Sequence, residues 1–192
     1  KWSLYGSMRE AAQVIAYEIP LGISLLVPIM VAGSFNLIEV SNDQAGWLGM
    51  NWYIWPWVNP FMLPAFVLFF IAILAETKRA PFDLPEAESE LVAGFMTEYS
   101  GIRWSFFFME EYAAMFLYSV VGAFFFFGGF ESPLTWLVRQ QFGLTVGAHA
   151  EAWSLGAILL TLTSALTIVV KGFAGVFLMM WLRWTLPRVR ID

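Results

Sequence analysis

The chain has 192 residues, of which 59% are hydrophobic, 18% are aromatic and only 13% are charged. Soluble domains are about half apolar and about a quarter charged, so this composition excludes an ordinary soluble domain and predicts an integral membrane protein. The formal net charge of −5 arises from local clusters and says little about partners. Because the chain contains no cysteine, disulfides, thiolate metal sites and Fe–S ligation by this chain are excluded.

Four segments are long and apolar enough to predict transmembrane helices, because a span needs about 20 mostly apolar residues. They cover residues 13–38, 58–76, 104–130 and 153–184. Pro20 and Pro28 should bend the first span, which neighbouring helices can tolerate. We find no repeat, linker or low-complexity tract. The predicted fold is therefore an all-α, polytopic transmembrane helical bundle that forms a single domain over residues 1–192.

The distribution of Lys and Arg predicts the orientation of the bundle, because cytoplasmic flanks carry the excess of these residues. One side holds Lys1, Arg9, Lys78, Arg79, Arg103, Arg183, Arg188 and Arg190. The other side holds Arg139, and Lys171 falls inside a span. Both termini and the loop 76–103 are therefore expected to face the cytoplasm, or the matrix or stroma of an organelle. Loops 39–57 and 131–152 are expected outside, where five aromatic residues of segment 46–60 should lie along the membrane interface.

The cytoplasmic loop is strongly acidic. Its carboxylates are Glu76, Asp83, Glu86, Glu88, Glu90 and Glu98. A helix should begin near Asp83, with Pro85 and Glu86 in its first turn, and end at Ser100-Gly101. Its apolar stripe, formed by Leu91, Val92, Phe95 and Tyr99, predicts an amphipathic helix folded against the bundle.

Four ionisable residues fall within the predicted spans, and they are the sharpest functional signal. Glu18, Glu110, Glu111 and Lys171 each cost about 2.5–3.5 kcal/mol to insert, so such residues usually face a cavity or a partner. By depth they should converge with the acidic loop in the cytoplasmic half or near the middle. One interpretation is local pairing and a solvated acidic surface. The other is a hydrated, carboxylate-lined path with coupled pKa values, suited to proton relay or ion coupling.

The sequence contains no motif of a soluble enzyme. GxGxxG, GxxxxGK[ST], HExxH and CxxC are all absent, so no nucleotide, flavin or metal site is predicted. The lone His149 lies in a polar loop, where a solvated role is expected. The chain begins with Lys1 and shows no signal peptide, which is typical of an internal fragment or a processed product. If the protein belongs to an enzyme, the redox or hydrolytic chemistry is expected on another subunit.

Several ordered motifs resemble one known family. The segment AETKRAPFDLPEAESELVAGFMTEYSG, residues 75–101, is similar to the signature loop of the membrane subunit 1/H of NADH:quinone oxidoreductase, respiratory complex I. SLYGSMREAAQVIAYEIPL resembles the third span of that family, and FFFMEEY resembles the segment after its loop. LRWTLPRVRID resembles its late Arg-x-x-Leu-Pro-Arg motif, and Lys171 stands where the family places a Lys. The resemblance covers the whole chain.

The resemblance implies a subunit at the joint between the redox arm and the membrane arm of that complex. Such a subunit forms part of the quinone chamber and a carboxylate path that couples quinone reduction to proton translocation. The implied relay residues are Glu111, Glu76, Glu18 and Lys171, with Glu110 as an additional acid. The implied residues of the chamber and loop are Arg79, Pro81, Phe82, Asp83, Glu86, Glu88, Glu90, Glu98, Arg103 and Arg9.

The chain departs from the family at two points. The family usually has a small residue before Glu-Tyr, so Glu111 matches the functional carboxylate and Glu110 is extra. Family members also have about eight spans, so the first spans and the last are missing from this sequence. Because quinone headgroup donors are expected on a partner subunit, the resemblance implies indirect coupling through Glu111, Glu76 and the loop acids.

The resemblance also implies the cofactors, partners and location. Quinone is the implied substrate, this chain is expected to bind no cofactor, and FMN and Fe–S clusters are expected on partner subunits. The partners are the other membrane and redox-arm subunits and membrane lipid, with no nucleic acid. A bacterial cell inner membrane is expected, with an organelle inner membrane as the alternative. Two other functions stay open: the anchor subunit of a related membrane-bound hydrogenase or ferredoxin:quinone complex, and an independent ion transporter.

Overall fold

Long apolar runs fold as helices in this chain because a helix satisfies every backbone polar group without water. The computed structural model describes residues 2–79, 81–82, 99–143 and 154–187. The helices are α1 (Trp2–Ala32), α2 (Leu37–Asp43), α3 (Met62–Glu76), α4 (Ile102–Phe126), α5 (Pro133–Phe142) and α6 (Leu155–Thr185), with a 3₁₀ turn at Trp47–Gly49. The described ranges contain no strand, and the all-α prediction is confirmed.

Three of the four predicted spans correspond to helices long and apolar enough to cross a membrane. These are Ser3–Ala32, Ile102–Phe126 and Leu155–Thr185. The span predicted over 58–76 is shorter than expected, because α3 has 15 residues and begins only at Met62. Pro56 and Pro60 lie in the turns that precede it, and the residue before a proline is disfavoured in the helical conformation. At 1.5 Å per residue α3 is about 22 Å long, less than the hydrocarbon core.

Although α3 is short, the residues before and after it contact opposite ends of α4. After α3, the Arg79 guanidinium reaches Glu111 in the first half of α4. Before α3, the Trp52 ring packs edge-on against Phe127, just beyond the last residue of α4. Glu111 and Phe127 are about 24 Å apart along the helix axis at the standard rise. We call these two levels the Arg79 end and the Gly128 end. The segment from Trp52 to Arg79 therefore runs between these two ends.

The ends of the other helices differ from the predicted boundaries. Instead of starting near residue 13, α1 begins at Trp2, and it continues through Pro20 and Pro28 as one helix to Ala32. It stops there because Gly33 adopts a φ of +66°, in the left-handed region that glycine tolerates. Similarly, α4 ends at Phe126, before Gly128 turns the chain with a φ of +74°.

Two helices occupy segments that the sequence analysis treated as outer loops. The amide of Asn36 caps α2 by accepting a hydrogen bond from the Ile38 backbone N–H. A capping box of Ser132 and Thr135, with Pro133 in the first turn, starts α5. These are standard signals for a helix N-terminus, and both helices are amphipathic or polar enough to lie outside the hydrophobic spans.

Close helix packing holds the bundle together. Within the described residues, α3 packs between α1 and α4, while α6 packs along α4 and α5. Phe66, Phe69 and Phe126 form an aromatic core between α3 and α4. Glycines permit the short helix distances: a Cβ at Gly122 would lie 2.8 Å from the Phe69 ring. Small residues of this kind let transmembrane helices approach closely.

Candidate functional site: a buried ion pair beside three carboxylates

The turn that ends α3 aims Arg79 into the protein. The Arg79 backbone N–H donates to the Leu74 carbonyl at 3.0 Å, and the Lys78 N–H donates to the Ala75 carbonyl at 3.2 Å. This pair of bonds defines a Schellman motif, which normally places glycine at the residue that is here Lys78. Lys78 has a φ of +53°, so a lysine holds the left-handed position. The chain therefore reverses direction at the end of the helix and returns Arg79 beneath it.

Arg79 and Glu111 form a buried ion pair. The Arg79 Nη2 atom lies 3.3 Å from Glu111 Oε2, and the two side chains are only 6% and 7% exposed. The guanidinium also stacks over the Tyr112 ring, 4.7 Å from its centroid. Because both charges are desolvated, removal of either partner would leave the other charge buried and uncompensated. The contact joins the start of the acidic loop to α4.

α1 holds the same turn from the opposite side. The Gln13 side-chain amide donates to the carbonyls of Ala75, at 2.6 Å, and Phe82, at 2.9 Å. The Phe82 ring packs against Tyr17, with ring centroids 5.6 Å apart. Glu10 forms an ion pair with Lys78. The beginning of the acidic loop is thus fixed between α1 and α4.

Three carboxylates and a tyrosine gather next to this turn. Glu18 of α1 and Glu110 of α4 both act electrostatically on Glu76, as does the cation of Lys78. The same three carboxylates act on the Tyr118 hydroxyl. The Glu76 Oε2 atom is buried and has no hydrogen-bond partner among the described residues. The predicted convergence of Glu18, Glu76 and Glu110 therefore appears in the structure.

The adjacent residues Glu110 and Glu111 face different surroundings. Glu111 is buried against Arg79, whereas Glu110 is exposed and lies near Glu76 and Glu18. Neighbouring helical residues point about 100° apart, so this separation follows from the helix itself. The assignment of Glu111 as the relay residue stays a prediction, and its counterion is now identified as Arg79.

Lys171 lies apart from these acids, so the predicted convergence of all four intramembrane charges is wrong. Its ammonium donates to the carbonyls of Phe127, Gly129 and Glu131, at 2.6, 2.8 and 2.5 Å. It also lies over the Trp52 ring, 4.6 Å from the centroid. These carbonyls follow the last turn of α4, where the helix dipole favours a cation. The long side chain carries its charge to the Gly128 end, away from Glu111.

An apolar cavity of about 210 Å³ lies between Tyr118, beside the carboxylates, and the Lys171 ammonium. It lies between α3, α4 and α6, with Tyr118 and Lys171 among its lining residues together with Phe66, Phe69 and Met179. Most of its lining side chains are apolar, and Lys171 itself forms part of its wall.

A second polar cluster surrounds the Gly128 turn. Gln44 accepts hydrogen bonds from the backbone N–H groups of Tyr53 and Gly128 and donates to the Phe124 carbonyl. Tyr53 donates to the Asp43 carboxylate, and burial together with that hydrogen bond raises the pKa of the phenol. These bonds fasten α2 and its following turns to the end of α4.

The remaining predicted site residues are either peripheral or outside the described residues. Arg9, in the third turn of α1, and Arg103, in the first turn of α4, are exposed residues at the Arg79 end. The predicted residues Asp83, Glu86, Glu88, Glu90 and Glu98 lie outside the described ranges, as does His149. The amphipathic helix predicted for the loop lies outside them too, apart from Tyr99.

Sequence reasoning missed two groups of residues. Gln13 and Tyr112 position the Arg79 turn, and Glu131 with Arg139 forms an ion pair of 2.8 Å at the Gly128 end. A polar Gln within an apolar helical run was an available signal for the first group. For the second group, the only signal was that Glu131 directly precedes the Ser-Pro start of a helix and lies eight residues before Arg139.

These features define an integral membrane protein of helical-bundle type, with a buried ion pair and clustered carboxylates at one end. Comparison with known proteins agrees with this class. The family described as NADH dehydrogenase matches residues 1–192. This chain belongs to that family.

Curated relatives support the assignment over the full chain. The H-type subunit of the NADH-quinone oxidoreductase of Chlorobaculum parvum is 44% identical over 193 residues, covering 100% of this chain and 50% of the relative. The corresponding protein of Chlorobaculum tepidum has the same identity and coverage. That of Anaeromyxobacter dehalogenans is 42% identical over 195 residues, covering 100% of this chain and 45% of the relative. The chain thus spans about half the length of these relatives.

Proposed function

We propose that this chain is part of the membrane subunit of a proton-translocating NADH:quinone oxidoreductase. The observation that carries the proposal is the match of its whole length to proteins named as H-type subunits of NADH-quinone oxidoreductase, at 44% identity. The carboxylates and the buried Arg79–Glu111 pair at one end of the bundle support a coupling role.

In this proposal, the Arg79 end borders the quinone chamber. Quinone is the substrate, and FMN and Fe–S clusters belong to partner subunits in the redox arm. Reduction of quinone beside this chain creates negative charge, which draws protons towards the carboxylates. Acids that interact strongly titrate as a group, so a charge at one of them alters the others. Glu111, Glu76, Glu18 and the acids of the loop then pass the change in charge to neighbouring membrane subunits.

The roles of individual residues follow from their surroundings. Glu111 is the relay residue and is held in place by Arg79. Glu18 and Glu110 act electrostatically on Glu76 at the same end of the bundle, with Tyr118 beside them. Arg79 joins the turn after α3 to α4 through its contact with Glu111. Lys171 acts at the far end, through the three carbonyls that it binds.

The first experiment uses native membranes that carry the full-length protein. The complex is extracted gently, isolated, and assayed for NADH-driven quinone reduction with and without an inhibitor of the quinone site. Inhibitor-sensitive NADH oxidation in a large Fe–S complex is the expected result. Hydrogen evolution, or electron transfer from ferredoxin alone, would contradict the proposed reaction but not the assigned fold. A subunit that works without redox partners would favour an ion transporter instead.

A further inference from the structure

Glu131 is the most buried carboxylate among the described residues. It lies in the turn between α4 and α5, directly before the Ser132 cap, and is 2% exposed. The turn is held by the Glu131 backbone N–H, which donates to the Gly128 carbonyl at 2.8 Å. The side chain is therefore fixed inside the protein at the Gly128 end, far from Glu111, Glu76, Glu18 and Glu110.

Two cations face Glu131 from two helices. Arg139 of α5 places its Nη2 atom 2.8 Å from Glu131 Oε1, and the same atom donates to the Asn42 amide oxygen of α2 at 2.7 Å. Lys171 of α6 donates to the Glu131 backbone carbonyl and acts electrostatically on its carboxylate. In the described part of the chain these are the charged groups that act on Glu131, while α2 supplies the neutral amide.

The second oxygen of Glu131 is left without a partner. Oε2 is buried and makes no hydrogen bond within the described residues. An ionised carboxylate oxygen buried in this way has lost its water and received no donor in return, which is unfavourable. Binding a proton there removes the charge that burial penalises. Consistently, burial raises the pKa of Glu131 more than Arg139 and Lys171 lower it.

We propose that Glu131 is a proton-binding carboxyl group at the Gly128 end, forming a second titrating centre distinct from the carboxylates at the Arg79 end. The carboxylate takes one proton from the aqueous phase on its own side of the membrane and returns it to that phase. The Arg139 side chain that contacts Glu131 is itself 18% exposed. The proposal gives the chain one titrating group on each side of the apolar cavity.

Protonation of Glu131 changes the charge balance of the cluster without dismantling it. Neutral Glu131 no longer attracts Arg139, which retains its hydrogen bond to Asn42. Lys171 keeps its three backbone carbonyls, which do not titrate. The state of Glu131 therefore adjusts how firmly α5 is held to the turn after α4, while α6 stays in place.

The test is an infrared pH titration of the full-length protein in its purified complex. A buried carboxyl group that gains a proton shows a C=O stretching band that the ionised form lacks. The wild type should show such a band growing on acidification, and Glu131→Gln should lose that component. Glu131→Asp should keep it with an altered midpoint. The matched control is Glu39→Gln, which changes an exposed carboxylate of α2 and should leave the component unaltered. An unchanged spectrum in Glu131→Gln would overturn the proposal.

Side-specific titration links this centre to proton translocation, a step that rests on the proposed function. In vesicles containing the complex, the pH on the Gly128 side is varied while NADH-driven proton uptake is recorded. The wild type should depend on that pH, and Glu131→Gln should flatten the dependence. If the complex shows no NADH:quinone activity, the proposed function fails, whereas the infrared titration still tests whether Glu131 binds a proton. If wild type and variant respond equally to pH in an active complex, Glu131 plays no part in translocation.

Discussion

Arg79 precedes the acidic loop in the sequence and Glu111 follows it. Their side chains form a buried ion pair with 3.3 Å between Nη2 and Oε2. Arg79 belongs to the turn after α3, and Glu111 lies in the first half of α4. Breaking a buried pair by removing one partner costs about 3–5 kcal/mol, because the other charge is left uncompensated. The ion pair therefore couples the position of the turn after α3 to the charge of Glu111 in the membrane.

A double-mutant cycle measures this coupling. Arg79→Gln and Glu111→Gln should each lower the stability of the assembled complex, and the double variant should lose less than the sum of the two. Residues in direct contact usually show interaction energies of about 0.5–3 kcal/mol. Thermal unfolding of the purified complex provides the measurement. Strictly additive losses would mean that the two side chains act independently.

Replacement of each adjacent glutamate separates the relay roles. Glu111→Gln should depress quinone reduction and coupled pumping while the complex still assembles, because Gln retains an oxygen that can accept a hydrogen bond from Arg79. Glu110→Gln should leave the Arg79 contact intact and change the pH dependence of pumping, because Glu110 acts on Glu76. Quinone reduction and proton uptake are measured together across a pH series. Wild-type pumping in Glu111→Gln would contradict its relay assignment, and Glu39→Gln serves as the control.

Charge at Glu131 should make stability depend on pH in a defined direction. Since burial raises the pKa of Glu131 above its ordinary value of 4.5, the folded protein binds this proton more tightly than the unfolded chain does. The stabilising contribution is complete below the unfolded pKa and is lost as pH rises through the folded pKa. The stability of the wild type relative to Glu131→Gln should therefore be greatest in acid and shrink towards neutral pH. Thermal unfolding of both proteins over that range tests the sign, and a difference that grows with pH would contradict it.

The sequence predicted the helices well where a long apolar run decided them. The runs in α1, α4 and α6 exceed the thickness of the hydrocarbon core, so their existence needed no tertiary information. Boundaries were less predictable, because a glycine with positive φ or a proline in a preceding turn stops a helix that hydrophobicity alone would continue. Residues 33, 56 and 128 are such positions.

The site was predictable in its residue types and only partly in its pairing. The convergence of Glu18, Glu76 and Glu110 was predictable because the depth of a residue along each helix can be counted from the sequence. Lys171 illustrates the limit of that count: depth gives the position of its Cα, whereas the flexible side chain reaches the carbonyls at the end of α4. Pairing of Arg79 with Glu111 depends on the left-handed turn at Lys78, which no periodicity indicates.

The left-handed conformation of Lys78 can be tested by two substitutions at that residue. Both Lys78→Gly and Lys78→Ala remove the ion pair with Glu10, so their difference isolates the backbone. A residue with a Cβ is destabilised by roughly 1–2 kcal/mol in this conformation, whereas glycine is not. Lys78→Gly should therefore be more stable than Lys78→Ala by about 1 kcal/mol in thermal unfolding of the complex. Equal stability would show that the Schellman turn is not strained by its side chain.

Close packing between α4 and α6 should depend on Gly175. A Cβ at this position would lie 2.7 Å from the Ser119 Cβ and 3.4 Å from its Cα, so the backbone of α4 itself would have to move. Overpacking of this kind typically costs about 1–3 kcal/mol, and it would shift the face of α4 that carries Met115. Gly175→Ala should therefore lower the unfolding temperature of the complex and reduce pumping. The matched control is Gly22→Ala in α1, where no atom lies within 4 Å of the added Cβ. If both alanine variants behaved alike, the separation of α4 and α6 would not be set by this glycine.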